Sequence, residues 1–316
     1  GWAYGAGRTW TFAPDRVDTA VSPAQVSMVL DAANRPHVAY FDHASAGSRA
    51  LRYTFWDGTQ WMRGPSEVIA SSIWTPTISA GNNFLALDTA GGPHVAFAQP
   101  SDAINAFGEI KYASLQGGTW TIEPLGVTGS NPSLVIGSDN IPRMAFEGLA
   151  GLTYGSRIGG QWQFETVPTG YTDANSVNLT LGPGDTPSIG FAMTVNEDLY
   201  LATRGPAGWS VAMVDGDGAS NGNLLLGRLG IGLAVDSFGQ AHMSYWAVTI
   251  YNLPGGTTDH FSDLRYYTPG NAGTICPEVA GACCSSAGTC ELLTPSACLG
   301  VWQGSSTCTP DPCNPT

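Results

Sequence analysis

The sequence predicts an all-β fold: five copies of a four-stranded antiparallel unit closed into a ring, followed by a small cysteine-rich tail. Three observations predict it. Gly (41 residues) and Pro (21) are abundant and only 12% of the residues are charged, which favours short strands and tight turns over helices. A unit of alternating apolar and polar residues recurs through most of the chain. All seven cysteines lie between Cys276 and Cys313.

The repeats share one order of elements. Each opens with an apolar strand, a tight turn and a second strand that often carries Pro-His. These are VSMVLDAANRPHVAYFD from Val26, FLALDTAGGPHVAFAQ from Phe84, PSLVIGSDNIPRMAFE from Pro132, VNLTLGPGDTPSIGFAM from Val177 and IGLAVDSFGQAHMSYW from Ile231. A third strand follows (LRYTFW, IKYASL, LTYGSR, LYLATR, LRYYT), then a tryptophan strand around Trp61, Trp120, Trp162 and Trp209. The third strand at Leu264–Tyr267 has no tryptophan strand after it. The orphan copy RTWTFAPDRV lies at the other end of the chain. Arg8, Trp10, Phe12 and Val17 therefore mark a closing strand for the fifth unit. It closes the unit within its own chain or, by strand donation, in the next subunit.

Four-stranded units of this period resemble the blades of a five-bladed β-propeller. The pattern LALDxxGxPHVAY…LxYA…W is similar to one found in secreted bacterial propeller proteins. The tail, GACCSSAGTCELLTPSACLGVWQGSSTCTPDPC, resembles a cysteine module of planctomycete-type surface proteins. These resemblances imply an N-terminal extension at 1–7, a propeller at 8–270, a linker at 271–280 and a disulfide module at 281–316. Cys283, Cys284, Cys290, Cys298, Cys308 and Cys313 allow fifteen pairings, which spacing does not decide, and Cys276 is left odd.

Composition excludes some partners. A net charge of −13 with one lysine, Lys111, is unsuited to nucleic-acid phosphates. No apolar run is long enough to span a membrane. Gly1 in place of Met, with dense cysteine, is read as the mature form of an exported, extracellular or cell-surface protein whose signal peptide has been removed.

Candidate site residues fall on the loops between second and third strands and on the links between units. Asp42, His43, Glu109, Glu147, Tyr171, Asp173, Asp259 and His260 form an acidic, partly aromatic ligand face. No cofactor is expected. The one metal reading is calcium at Asp215, Asp217 and Asn221, whose oxygen ligands lie on a Gly-rich turn without EF-hand spacing. Asp31, Asp88 and Asp236 sit where aspartate caps a turn. His37, His94 and His242 recur at one strand position, in separate units, and are read as structural. The first strands begin with amides, hydroxyls and glycine rather than a pair of acids, which argues against glycosidase chemistry.

Two functions follow. The first is a non-enzymatic extracellular structural protein that self-assembles into a filament or layer, as the low charge, separate tail and odd cysteine suggest. The second is a secreted carbohydrate-binding module or adhesin with glycans as partners.

Overall fold

The computed structural model describes residues 2–6, 9–13, 23–42, 50–62, 67–71, 83–99, 107–193, 195–216, 224–252, 258–269, 281–284, 290–293 and 301–302. The chain divides into two compact units, Gly1–Ala272 and Gly273–Thr316. Apart from one short 3-10 turn, the elements described are all strands. No helix among the described residues is long and apolar enough to cross a membrane.

The first unit opens with a two-stranded sheet, β1 (Trp2–Ala6) and β2 (Thr9–Ala13). Next comes a four-stranded sheet of β3 (Pro23–Leu30), β4 (Pro36–Asp42), β5 (Ala50–Phe55) and β6 (Glu67–Ser71). A seven-stranded sheet holds β7 (Leu85–Leu87), β8 (Pro93–Gln99), β9 (Gly108–Gln116), β10 (Thr119–Ile136), β11 (Pro142–Gly148), β12 (Gly151–Ile158) and β13 (Gln161–Thr166). A second four-stranded sheet has β14 (Asn175–Gly182), β15 (Thr186–Ala192), β16 (Leu199–Gly205) and β17 (Gly208–Asp215). The last, three-stranded, has β18 (Leu224–Val235), β19 (Ala241–Asn252) and β20 (Thr258–Tyr267). Every pairing is antiparallel between neighbours in sequence.

The repeats thus form, and their turns explain why. In the first hairpin of a repeat, one aspartate oxygen accepts two backbone N–H groups. Asp31 Oδ1 takes those of Ala33 (2.9 Å) and Arg35 (2.8 Å), Asp88 Oδ1 those of Ala90 (2.9 Å) and Gly92 (2.7 Å), and Asp236 Oδ1 those of Phe238 (2.9 Å) and Gln240 (2.8 Å). Three residues after each aspartate the backbone turns left-handed, at Asn34 (φ 57°), Gly91 (φ 84°) and Gly239 (φ 82°), where glycine and asparagine are tolerated best. The start of the first strand also repeats a feature. Gln25, Asn131 and Ser176 have φ near 50° and Gly230 has φ 137°, each at a break in strand register. The bulge re-aims the next residues.

Those re-aimed residues join one repeat to the next. Ser27 Oγ accepts the Leu85 N–H (3.2 Å), and the Asn83 carbonyl accepts the Leu134 N–H (2.5 Å). Ser133 Oγ accepts the Leu179 N–H (2.9 Å), and the Asn178 amide donates to the Ile231 carbonyl (2.7 Å). The Asn83 amide also reaches Asn178 Oδ1 at 3.4 Å. Between repeats lies the core, with Phe41, Phe84, Phe97, Leu134, Phe146, Leu179, Phe191 and Met243 buried. In the first three repeats the third-strand tyrosine meets the following repeat's tryptophan edge-on: Tyr53 with Trp120, Tyr112 with Trp162 and Tyr154 with Trp209. Such a pair adds about 0.5–1.5 kcal/mol beyond area burial. The histidines stay within their repeats. His37 Nδ1 and Tyr53 OH are 2.5 Å apart, as are His94 Nδ1 and Tyr112 OH, and His242 bonds Tyr266 in the same way.

The closed five-bladed ring expected from the sequence is not what forms. The sheets are open, with four, seven, four and three strands. Two physical reasons are visible. β2 pairs with β1 instead, from Trp2 opposite Ala13 to Ala6 opposite Thr9, in a two-stranded sheet of its own, so Trp10 and Phe12 lie in a hairpin and not beside β20. The repeats around Phe84 and Pro132 are not separate blades either. The extended β10 is the last strand of one and the first of the next, bending at a register shift between Pro124 and Thr128. Arg8 and Val17 lie outside the described residues.

The expected disulfide-rich tail is corrected too. The second unit contains a small sheet of β21 (Gly281–Cys284), β22 (Cys290–Leu293) and β23 (Val301–Trp302). Its backbone pairing, Cys284 opposite both Cys290 and Val301, organises the described part of this unit. Cys290 is disulfide-bonded. Cys276, Cys298, Cys308 and Cys313 fall outside the described residues, as do the side chains of Cys283 and Cys284.

Candidate functional site

The loop end of the repeats around β11 and β14 brings together several of the polar residues expected on the ligand face. Glu147 ends the second strand of its repeat, one residue before the Gly148–Gly151 turn that joins β11 to β12. Its Oε2 accepts the Ser130 hydroxyl at 2.7 Å. Burial pushes the Glu147 carboxyl above the ordinary glutamate range, and the nearby Asp173 charge adds to the shift, against the bond from Ser130.

The link from β13 to β14 supplies Tyr171 and Asp173. Thr169 Oγ1 accepts the Tyr171 N–H (3.2 Å) and donates to the Tyr171 carbonyl (3.0 Å), which fixes the turn. Gly151 (φ 112°) lies against that turn. A Cβ there would stand 2.8 Å from the Tyr171 carbonyl oxygen, so glycine is required on both counts. The Tyr171 ring is 41% exposed and lies 6.4 Å from the Tyr200 ring, which stacks in turn on Phe191. Asp173 Oδ2 accepts the Val195 N–H (3.1 Å), and the Asn196 amide donates to Tyr200 OH (2.8 Å).

Farther along the same end, Asp215 Oδ2 accepts both Tyr245 OH and Arg265 Nη1 at 2.8 Å. Gly216 (φ 143°) lies so close to the Asp198 carboxylate that a side chain there would collide with it. Asp215 is thereby part of the packing of β17 against β19 and β20. Asp217 and Asn221, the other members of the expected calcium turn, lie outside the described residues. Among the described residues no group of three or more His, Cys, Asp or Glu side chains is placed to hold a metal ion.

The expected ligand face is therefore divided. Glu147, Tyr171 and Asp173 come together. Asp42 does not join them: it is buried and its Oδ2 takes Arg52 Nε at 2.7 Å, an ion pair within its own repeat. Glu109 pairs with Lys111 at 3.5 Å at the start of β9. Asp259 and His260 stand in β20 opposite Tyr251 and Ile250, their side chains outside the described residues, as is His43. Sequence reading missed Ser130, Asn196 and Tyr200. Tyr200 sits one residue before the tyrosine position of the other repeats, and strand alternation turns it to the opposite face.

On the opposite end, a cleft of about 180 Å³ opens between β12 and β15, lined by Arg143, Tyr154, Ser156, Asp185 and Arg204. Its guanidinium groups are already engaged. Arg143 binds Asp139 (2.6 Å) and Arg204 binds Glu165 (3.2 Å) while lying over the Tyr154 and Trp209 rings. The cleft reads as packing between repeats.

No protein family and no curated protein matches the chain. Among solved structures it is similar to a polysaccharide lyase of the PL25 ulvan lyase group. The likeness spans 80% of this chain and 71% of the lyase, at 14% identity and a TM-score of 0.50. The structure of such a lyase bound to -[GlcA(1-4)Rha3S]- is matched over 81% and 72%, again at 14% identity and a TM-score of 0.50. An exo-β-1,3-galactanase from Clostridium thermocellum is matched over 76% and 58%, at 11% identity and a TM-score of 0.43. In fold, the greater part of this chain is thus similar to a polysaccharide lyase.

Proposed function

We propose that this chain is an extracellular carbohydrate-binding protein whose site is the loop end formed by Glu147, Tyr171, Asp173, Asn196 and Tyr200. The observation that carries the reading is the half-exposed Tyr171 ring, braced by Tyr200, on the link whose Asp173 charge acts on the Glu147 carboxyl. A sugar presents an apolar face of C–H groups and a rim of hydroxyls. An aromatic ring takes the first, and carboxylate acceptors take the second, while the Asn196 amide is spent holding Tyr200. The fold likeness to a polysaccharide lyase supports the substrate class.

The binding reading is tested by affinity electrophoresis through gels cast with neutral, uronic and sulfated polysaccharides. Retardation of the wild-type chain by at least one polysaccharide, abolished in Tyr171→Ala, is expected. Equal mobility of both proteins in every gel would overturn it.

One observation favours a glycan-cleaving role at the same place. The carboxyl of Glu147 is held toward its protonated form beside a second carboxylate, as a general acid requires. Release of reducing or unsaturated ends from the retarding polysaccharide, lost in Glu147→Gln, distinguishes cleavage from binding alone.

A further inference from the structure

Six exposed large apolar residues of the first unit fall on two faces, one in its first repeat and one in its last. In the first repeat, Met28 stands where the other four carry Leu85, Leu134, Leu179 and Leu233. Those four are 0–9% exposed, whereas Met28 is 61% exposed. Val26 and Leu30, on the same side of β3, are exposed as well, although Val177 and Ile231, the equivalents of Val26, are buried. The last repeat shows the converse. Leu264 is 65% exposed, while its equivalents Leu51, Ile110, Leu152 and Leu199 are all 0% exposed. Tyr266 is 41% exposed, while Tyr53, Tyr112 and Tyr154 are buried under the following repeat's tryptophan. Trp246 adds a further ring to this face.

Each internal repeat covers the first of these positions with the repeat before it and the second with the repeat after it. Val26, Met28 and Leu30 are thus the half of an interface that has no predecessor. Trp246, Leu264 and Tyr266 are the half that has no successor. The two faces are complementary parts of the contact that the chain already makes between its own repeats. A contiguous exposed apolar face of this kind marks an interaction surface.

We propose that the occupant of each face is a second copy of this chain. The Met28 face of one copy docks on the Leu264 face of the next, so that copies add head to tail. A second copy is favoured over an unrelated partner because it carries both halves of the contact. Head-to-tail contacts that do not return to the first copy generate an open array rather than a closed dimer. The contact is separate from the Tyr171 site and does not depend on it.

Sedimentation velocity of the full chain over a hundredfold concentration range tests this. Species larger than the monomer that grow with concentration are expected. Met28→Glu and Leu264→Glu should each give monomers, and an equimolar mixture of the two should give dimers and nothing larger, because one intact contact remains between them. Circular dichroism checks that both variants keep the wild-type fold, and Met28→Gln with Leu264→Gln provide milder versions expected to act in the same direction. A wild-type chain that stays monomeric, or a single variant that dimerises with itself, would overturn the proposal. The double variant Met28→Cys/Leu264→Cys gives an independent readout against the wild-type chain. Oxidation to an added intermolecular ladder supports it, and a bridge confined to one chain overturns it.

Discussion

The hydroxyl of Ser133 in β10 accepts a hydrogen bond from the backbone N–H of Leu179 in β14, at 2.9 Å and fully buried, and so ties one repeat to the next. A left-handed residue just before it, Asn131, breaks the strand register and lets the side chain cross the gap. Ser133→Ala leaves a buried N–H without its acceptor. The expected cost is about 1–3 kcal/mol, read as a lower thermal midpoint with the folded spectrum kept. An unchanged midpoint would show that the repeats are held together without this bond.

The tyrosine–histidine pair inside each repeat predicts a smaller effect. Tyr112→Phe keeps the ring against Trp162 but removes the hydroxyl that meets His94 Nδ1. A loss of about 1 kcal/mol in denaturant unfolding is expected. A loss as large as that from removing the whole ring in Tyr112→Ala would place the stability in the hydrogen bond rather than in the ring contact.

Stability should depend on pH in two windows. Burial holds the His37 and His94 imidazoles below the ordinary value of 6.5, so the unfolded chain takes up protons first as pH falls. Stability is therefore full above pH 6.5 and declines below it. The carboxyls of Asp31 and Asp139 sit at about 2, lowered chiefly by the Arg35 backbone N–H and by the Arg143 side chain respectively. Their contribution is present above the unfolded value of 3.8 and is lost as pH falls through about 2. Thermal midpoints should drop between pH 7.5 and 5.5 and again below pH 4. A flat profile from 7.5 to 5.5 would contradict the histidine part.

The repeat was legible in the sequence because its signals are local. An aspartate, a left-handed Gly or Asn three residues on, and period-two alternation fix the hairpin within a few residues in three of the five repeats. The same reading marked Glu147, Tyr171 and Asp173, which share one loop end of the proposed site, since loops between known strands are easily marked. Closure was not legible, because it rests on pairing residues more than 200 positions apart. The alternation in Thr9–Ala13 suits β1 as a partner as well as it suits β20. Nor was β10 legible as one strand, since Pro124 and Gly126 inside it read as a break. The supporting shell of the site, Ser130, Asn196 and Tyr200, carries no repeated signal at all.

Glu147 carries a cost that a substitution should remove. Its raised carboxyl means that the native state binds a proton more tightly than the unfolded chain, so its ionisation opposes folding as pH rises above the ordinary 4.5. Glu147→Gln should raise stability at pH 7, since the buried carboxylate charge that opposes folding there is removed. The gain should shrink toward zero below pH 4.5. A variant less stable than wild type at both pH values would show that the Ser130 bond outweighs the burial of charge.

The most direct measurement of the central claim is a calorimetric titration of the retarding polysaccharide, or an oligosaccharide cut from it, into wild-type protein, Tyr171→Phe and Tyr171→Ala. Saturable binding by wild type and Tyr171→Phe, with at least a tenfold loss in Tyr171→Ala at unchanged thermal stability, is the predicted result. Equal binding by all three proteins would move the glycan site away from the Tyr171 loop end, and no binding by any of them would contradict the carbohydrate-binding function itself.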